Sequence, residues 1–153
     1  MNINKSIKKK DLKFGFKNEK IVLNILNNQF KKIKIKHYKY IYHTLDFYYK
    51  NEDNKKIIEF ELKSRNINHN QYKSIIFGKN KFIYSCKRLN KNIRQIYLFY
   101  CLDGLYYWEL KDKDLQINEY YESRICNKKR NDKFDDGINI KVEYLKPIIC
   151  LTI

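Results

Sequence analysis

A chain of 153 residues with 33 Lys and Arg against 17 Asp and Glu carries a formal charge of +16. That length fits a single domain, residues 1–153, with room for a sizeable core, and no uninterrupted apolar run approaches the ~20 residues that span a bilayer. Cys86, Cys101, Cys126 and Cys150 form no C-x-x-C pair and have no His at zinc-ligand spacing, which excludes a structural zinc site on pattern and leaves free thiols as the expectation.

The positive field attracts polyanions, so nucleic acid is the expected partner. Richness in Lys, Asn, Ile, Tyr and Phe also follows from AT-rich codons, but codon bias does not account for so few acids. Met1 to Phe16 is basic without the apolar segment of a secretory signal, and the expected location is intracellular, in the cytoplasm. With one Pro and four Gly the chain offers no linker, and it shows no internal repeat.

In chain order, residues 1–13 are a basic N-terminal arm with too few apolar positions to require packing, open to disorder or to lying along a bound backbone. Asn18 is suited to cap a helix whose first turn holds Glu19 and whose apolar stripe is Ile21, Val22, Ile25, Leu26 and Phe30; the spacing predicts about three turns. Lys31 to Lys36 and the tyrosine-rich Tyr38 to Tyr42 read as strand or extended chain.

Thr44 to Arg65 reads as a β-hairpin with its loop at residues 52–55. On the first strand Leu45, Phe47 and Tyr49 share one face, and Asp46, Tyr48 and Lys50 the other. On the second, Ile58, Phe60 and Leu62 face the core while Glu59, Glu61, Lys63 and Arg65 face away. Pairing Asn51 with Lys56 sets Tyr49 across from Ile58 and Asp46 across from Glu61, with Cβ atoms ~5 Å apart. A register two residues different would set Asp46 across from Glu59 instead.

Downstream, Asn70 to Phe77 reads as a short helix carrying Gln71 and Tyr72 and closed by Gly78, and Lys81 to Cys86 as a strand. Gln95 to Cys101, an Asp103-Gly104 turn and Leu105 to Leu110 form a second hairpin. Lys111 to Asp136 is a polar excursion with some helix around Leu115 to Tyr121, and Ile138 to Tyr144 is a last alternating strand with no assigned place in the sheet. The elements add up to an α+β (or α/β) fold, a mixed central sheet flanked by helices.

Two carboxylates facing each other on a sheet repel unless something compensates, and a divalent cation is a natural compensator. Asp46 and Glu61 offer hard oxygen ligands for Mg²⁺ or Mn²⁺. Lys63, ~7 Å along the same face, is suited to hold or deprotonate an attacking water. Asp46, then Glu61-Leu62-Lys63, with Glu19 on a preceding helix and Gln71 on a following one, resembles the PD-(D/E)XK nuclease superfamily. The resemblance implies a restriction-endonuclease-like fold, Asp46, Glu61 and Glu19 as metal ligands, Lys63 as the catalytic lysine, and Gln71 and Tyr72 as contacts to phosphate or to that lysine. Leu45 stands where the motif has its proline. Residues 61–65 with Tyr72 and Gly78-Lys79-Asn80-Lys81 also resemble small uncharacterised proteins of large DNA viruses, which would add a viral factory or the nucleus to the locations open to it.

The competing readings are plainer. Glu59 is a third ligand or a solvated neighbour, with the second favoured. Arg65 and Lys73 are phosphate contacts or solvated cations. His37, His43 and His69 lie on separate segments and read as incidental, His69 the least so. Tyr106, Tyr107 and Trp108 read as core and edge packing, and Lys128-Lys129-Arg130 as a phosphate clamp or a solvated loop. The expected function is a Mg²⁺- or Mn²⁺-dependent nuclease acting on DNA, with homodimerisation left open. The alternatives are a non-catalytic nucleic-acid-binding protein of the same or another small β-rich fold, and an interaction protein within a viral or mobile-element assembly.

Overall fold

The computed structural model describes residues 3–40, 43–111, 121–124 and 135–153, with side chains described over 13–40, 43–111 and 137–153. The elements are α1 (Ile3–Gln29), β1 (Lys36–His37), β2 (Phe47–Lys50), β3 (Lys56–Ser64), β4 (Ser74–Gly78), α2 (Lys79–Leu89), β5 (Arg94–Cys101), β6 (Gly104–Glu109), β7 (Tyr121–Arg124), β8 (Asp135–Lys141) and β9 (Lys146–Pro147). Six strands form a mixed sheet in the order β1-β2-β3-β5-β6-β9, in which β3 and β5 are parallel and every other pair antiparallel. A second, antiparallel sheet has the order β4-β8-β7. The fold is α+β.

Alternation on the central strands builds two cores. Phe47, Ile58, Phe60, Leu62, Ile96, Leu98, Leu105 and Tyr107 project from one face of the six-stranded sheet and pack under Val22 and Leu26 of α1. From the other face Tyr97, Phe99 and Cys101 meet Ile75 and Phe77 of β4, Ile138 and Ile140 of β8, and Phe82, Cys86 and Leu89 of α2. Tyr106 and Trp108 join the second core while Tyr107 joins the first, as adjacent residues on a strand must.

Several expectations need correcting. Asn18 does not cap a helix: α1 already runs from Ile3, and Asn18 is buried within it, in line with Val22 and Leu26 along the inward stripe. Asn27 clamps the chain after the helix, its side chain exchanging two hydrogen bonds with the Ile35 backbone at 2.9 and 3.1 Å. Among the described residues of 31–40, Lys36–His37 is the strand, and 31–32 form a turn. Residues 70–77 are not a helix. Ile75 and Phe77 alternate as buried residues of β4, which pairs with β8. Gly78 opens α2 rather than closing a helix, and the predicted strand Lys81 to Cys86 lies inside α2. Phe82, Ser85, Cys86 and Leu89 recur at 3.6-residue spacing, and that period outweighs the local strand propensity.

The two hairpins form as expected. In the first, Asn54 takes the left-handed conformation (φ 61) that Asn tolerates, and a bulge between Tyr49 and Lys50 sets Lys50, rather than Asn51, opposite Lys56. The bulge lies on the turn side, so from Tyr49↔Ile58 onward the register is the expected one. In the second, Cys101 pairs with Gly104, whose φ of +147 suits glycine. The last strand now has its place: β8 is central in the second sheet, and Val142–Tyr144 leaves it as a 3₁₀ turn. The helix expected around Leu115 to Tyr121 lies outside the described residues except at Tyr121, which is β strand; Lys128-Lys129-Arg130 and Cys126 also lie outside them. Cys86, Cys101 and Cys150 are free thiols. Among the described residues no helix is long and apolar enough to cross a membrane.

Candidate active site

The polar face of β3 is not solvated. Glu59 and Glu61 are 0% and 2% exposed, because α2 lies over them. Alternation reveals which residues share a face but not whether a helix covers it.

Asp46 sits one residue before β2, where the chain turns away from β3. Its N–H donates to the Phe60 carbonyl at 3.0 Å, its carbonyl accepts from Tyr38 N at 2.9 Å, and its Oδ2 accepts from Leu62 N at 2.7 Å. The side chain thereby takes over as ladder acceptor where the strand ends. Phe47↔Phe60 is the last pair of the β2–β3 ladder, and Asp46, just beyond it, bonds to Phe60 and Leu62 on either side of Glu61. Burial, with the charge of Glu61 and more weakly that of Glu19, pushes the Asp46 carboxyl up from 3.8 to about 7, against the Leu62 hydrogen bond and the Lys81 charge.

Glu61 carries an ammonium on each oxygen: Lys63 Nζ at 2.6 Å from Oε1 and Lys81 Nζ at 3.2 Å from Oε2. Lys81 also donates to the Thr44 carbonyl. The Lys81 approach lacks hydrogen-bond alignment, so Oε2 is a buried acceptor in ionic contact but without a hydrogen-bond donor. Lys81 is the residue that sequence reasoning missed. Reading residues 82–89 as helical would have turned Lys81, Ser85 and Arg88 toward β3 and β5.

The other expected residues are placed as follows. Glu19, partly buried on α1, acts on Asp46 electrostatically but is tied to His37 Nε2 at 2.6 Å, so His37 is not incidental. Arg65 reaches from the end of β3 to donate to the Ile76 carbonyl of β4 at 2.6 Å. Gln71, Tyr72 and Lys73 are exposed on the bend before β4, and among the described residues no hydrogen bond or ion pair joins them to Asp46, Glu61 or Lys63. His69 pairs with Asp103 at 2.5 Å and stacks on Tyr106 at 4.0 Å, pinning that bend to the β5–β6 turn.

Glu59 is neither a ligand nor a solvated neighbour. Its carboxylate accepts from Tyr38 Oη at 2.5 Å, from Arg88 Nε at 2.9 Å and Nη2 at 3.0 Å, and from Gln95 Nε2 at 3.0 Å. Burial alone would raise its pKa, but those donors hold it below the ordinary carboxylate range. Lys56 lies over the Tyr38 ring, 4.3 Å from its centroid, and His43 stacks on the same ring at 3.4 Å.

Among the described residues no three His, Cys, Asp or Glu side chains stand together at metal-ligand spacing. Asp46 and Glu61, close enough for one charge to act on the other, still fit a hard divalent cation, because Mg²⁺ is usually held by one or two carboxylates with water and phosphate oxygens completing its shell. The Asp46 carboxyl is raised chiefly by burial and then by the Glu61 charge, and Glu61 Oε2 has no hydrogen-bond donor. No family model, curated protein or solved structure matches the chain.

The Asp46 carboxyl has a measurable consequence. The folded chain holds this proton up to about pH 7, whereas an unfolded chain releases it near 3.8. Between those values the folded state binds the extra proton, so stability falls as pH rises from about 4 to 7. Asp46→Asn keeps an acceptor for Leu62 N and removes the titration. In urea unfolding at pH 8 without divalent cations, the variant is expected to be more stable than the wild type by on the order of 3–4 kcal/mol, with the difference shrinking toward pH 4.

Proposed function

We propose that the chain is a Mg²⁺- or Mn²⁺-dependent phosphodiesterase acting on DNA, a nuclease of the PD-(D/E)XK kind with a restriction-endonuclease-like core. The observation that carries this is Asp46, bonded to Phe60 and Leu62 on either side of Glu61, together with Lys63 on the Glu61 carboxylate. The order also supports it: Glu19 on the preceding helix, Asp46 at the mouth of β2, Glu61 and Lys63 on β3. The downstream helix of the pattern corresponds to α2, and Lys81 rather than Gln71 or Tyr72 stands on Glu61. The charge of +16 favours a polyanionic substrate.

Asp46 and Glu61 would hold the cation, which when bound polarises the phosphodiester and lowers the pKa of water. Lys63, an ammonium on Glu61, orients the attacking water, whose proton is lost to solvent, and the departing sugar oxygen takes a proton from solvent. An O–P bond forms from that water and the bond to the leaving sugar oxygen breaks. Lys81 offers a second positive charge for the pentacovalent phosphorus. The test is cleavage of linear and branched DNA with Mg²⁺ or Mn²⁺ by the wild type, Glu61→Gln and Lys63→Met. Metal-dependent cleavage lost in both variants is expected; equal cleavage by all three would refute the assignment.

The two ammonium groups on Glu61 favour one other reading, a nucleic-acid-binding protein whose lysines already neutralise that carboxylate. It predicts salt-sensitive DNA binding, no metal-dependent turnover and little effect of Asp46→Asn on affinity.

A further inference from the structure

Beside the apolar stripe of Phe82, Cys86 and Leu89, α2 turns a polar stripe toward the sheet. Lys81, Ser85 and Arg88, at i, i+4 and i+7, meet Glu61 at 3.2 Å, the Tyr97 hydroxyl at 2.8 Å and Glu59 at 2.9 Å. Their partners lie side by side on the sheet, Glu61 paired with Tyr97 and Glu59 with Gln95. An apolar helix face tolerates rotation and sliding by a fraction of a turn, but a forked guanidinium on a saturated, fully buried carboxylate does not.

We infer that Glu59 and Arg88 are positioning residues of the site: their bidentate pair fixes the rotation and depth of α2 and so holds Lys81 on Glu61. Glu59 is suited to this because four donors from β5, α2 and the Tyr38 segment converge on it, locking together the elements that carry Lys81 and Asp46. Tyr38 also donates its backbone N–H to the Asp46 carbonyl, so the network touches both sides of the site. Burying an ion pair is a costly way to attach a helix, and a fixed registry is the return.

The inference rests on the phosphodiesterase reading for its catalytic consequence but not for its geometry, and the experiment separates the two. In the folded full chain, the rate of Lys81 acetylation by an N-hydroxysuccinimide ester is read by mass spectrometry against that of exposed Lys34. The variants are Glu59→Gln/Arg88→Gln, which leaves no buried unpaired charge, and Arg88→Lys. Lys81 is expected to react about tenfold faster in the paired variant and at an intermediate rate in Arg88→Lys, which keeps the charge but not the fork; the paired variant is also expected to lose kcat for DNA cleavage about tenfold with KM unchanged, a loss that vanishes in a Lys81→Met background. Unchanged Lys81 reactivity in a folded paired variant overturns the inference, as do kcat losses that simply multiply. A wild type that cleaves no DNA refutes the phosphodiesterase reading alone, and the acetylation ratio still decides the positioning.

Discussion

Glu59→Ala lowers the free energy of unfolding by about 3–5 kcal/mol, the cost of breaking a buried ion pair from one side. The carboxylate is fully buried with four donors on its two oxygens. Its removal leaves the Arg88 guanidinium and the Tyr38 hydroxyl without that acceptor and opens a cavity under α2. Gln95 is less affected, because its amide already donates to the Ile93 carbonyl at 3.1 Å. Urea unfolding monitored at two probes measures the loss. Replacing both partners, as in Glu59→Gln/Arg88→Gln, costs less because no charge is stranded. The pH dependence has the opposite sign to that of Asp46. A carboxyl held below its ordinary value of 4.5 contributes stability above that value and loses it as pH falls through the lower, folded one. The Asp46 contribution is therefore lost as pH rises toward 7 and that of Glu59 as pH falls below the ordinary carboxylate range, and Asp46→Asn removes the first of these.

The second large effect is on turnover. Lys63→Met is expected to lower kcat for metal-dependent DNA cleavage by about 10²–10⁴-fold, the range for removing a positioned proton-transfer or charge-stabilising group. KM for DNA should change little, because one ammonium among 33 Lys and Arg contributes little to the overall attraction. The methylene stem persists in Met, so packing beside Phe99, its neighbour across β5, survives. Glu61→Gln is expected to lose cleavage to a similar degree and also to weaken Mn²⁺ dependence, since it removes a ligand charge. Steady-state kinetics at several Mn²⁺ concentrations separate the two. A Lys63→Met variant with raised KM and unchanged kcat would make Lys63 a substrate anchor rather than a catalytic group.

Much of the first hairpin was legible because two independent signals agreed. The alternation of Ile58, Phe60 and Leu62 set the faces, and the loop at residues 52–55 set the register from Tyr49↔Ile58 to Phe47↔Phe60, beyond which Asp46 lies. Even with a bulge beside the turn, the parity of the strand could not slip without exposing its apolar side chains. The start of α1 was not legible, because Asn18 looks like a cap and its burial comes from tertiary contact. The stretch from Asn70 to Leu89 misled for a related reason: Gly78 suits either end of a helix, and Phe82, Cys86 and Leu89 compete with a β-prone Phe-Ile-Tyr run. Misplacing α2 hid Lys81, and with it the cover that converts the charged face of β3 from a solvated surface into a buried site. The second sheet was out of reach because β4 and β8 are separated by about sixty residues of sequence, and local pattern carries no information about such pairing.

The most direct measurement is anomalous diffraction from crystals soaked in Mn²⁺, with and without a DNA oligonucleotide. The account predicts a manganese peak between the carboxylates of Asp46 and Glu61, about 2.0–2.2 Å from an oxygen of each, with Lys81 or Lys63 drawn off its Glu61 oxygen. Crystals saturated with Mn²⁺ and DNA that show no peak there, with both ammonium groups still on Glu61, would contradict it.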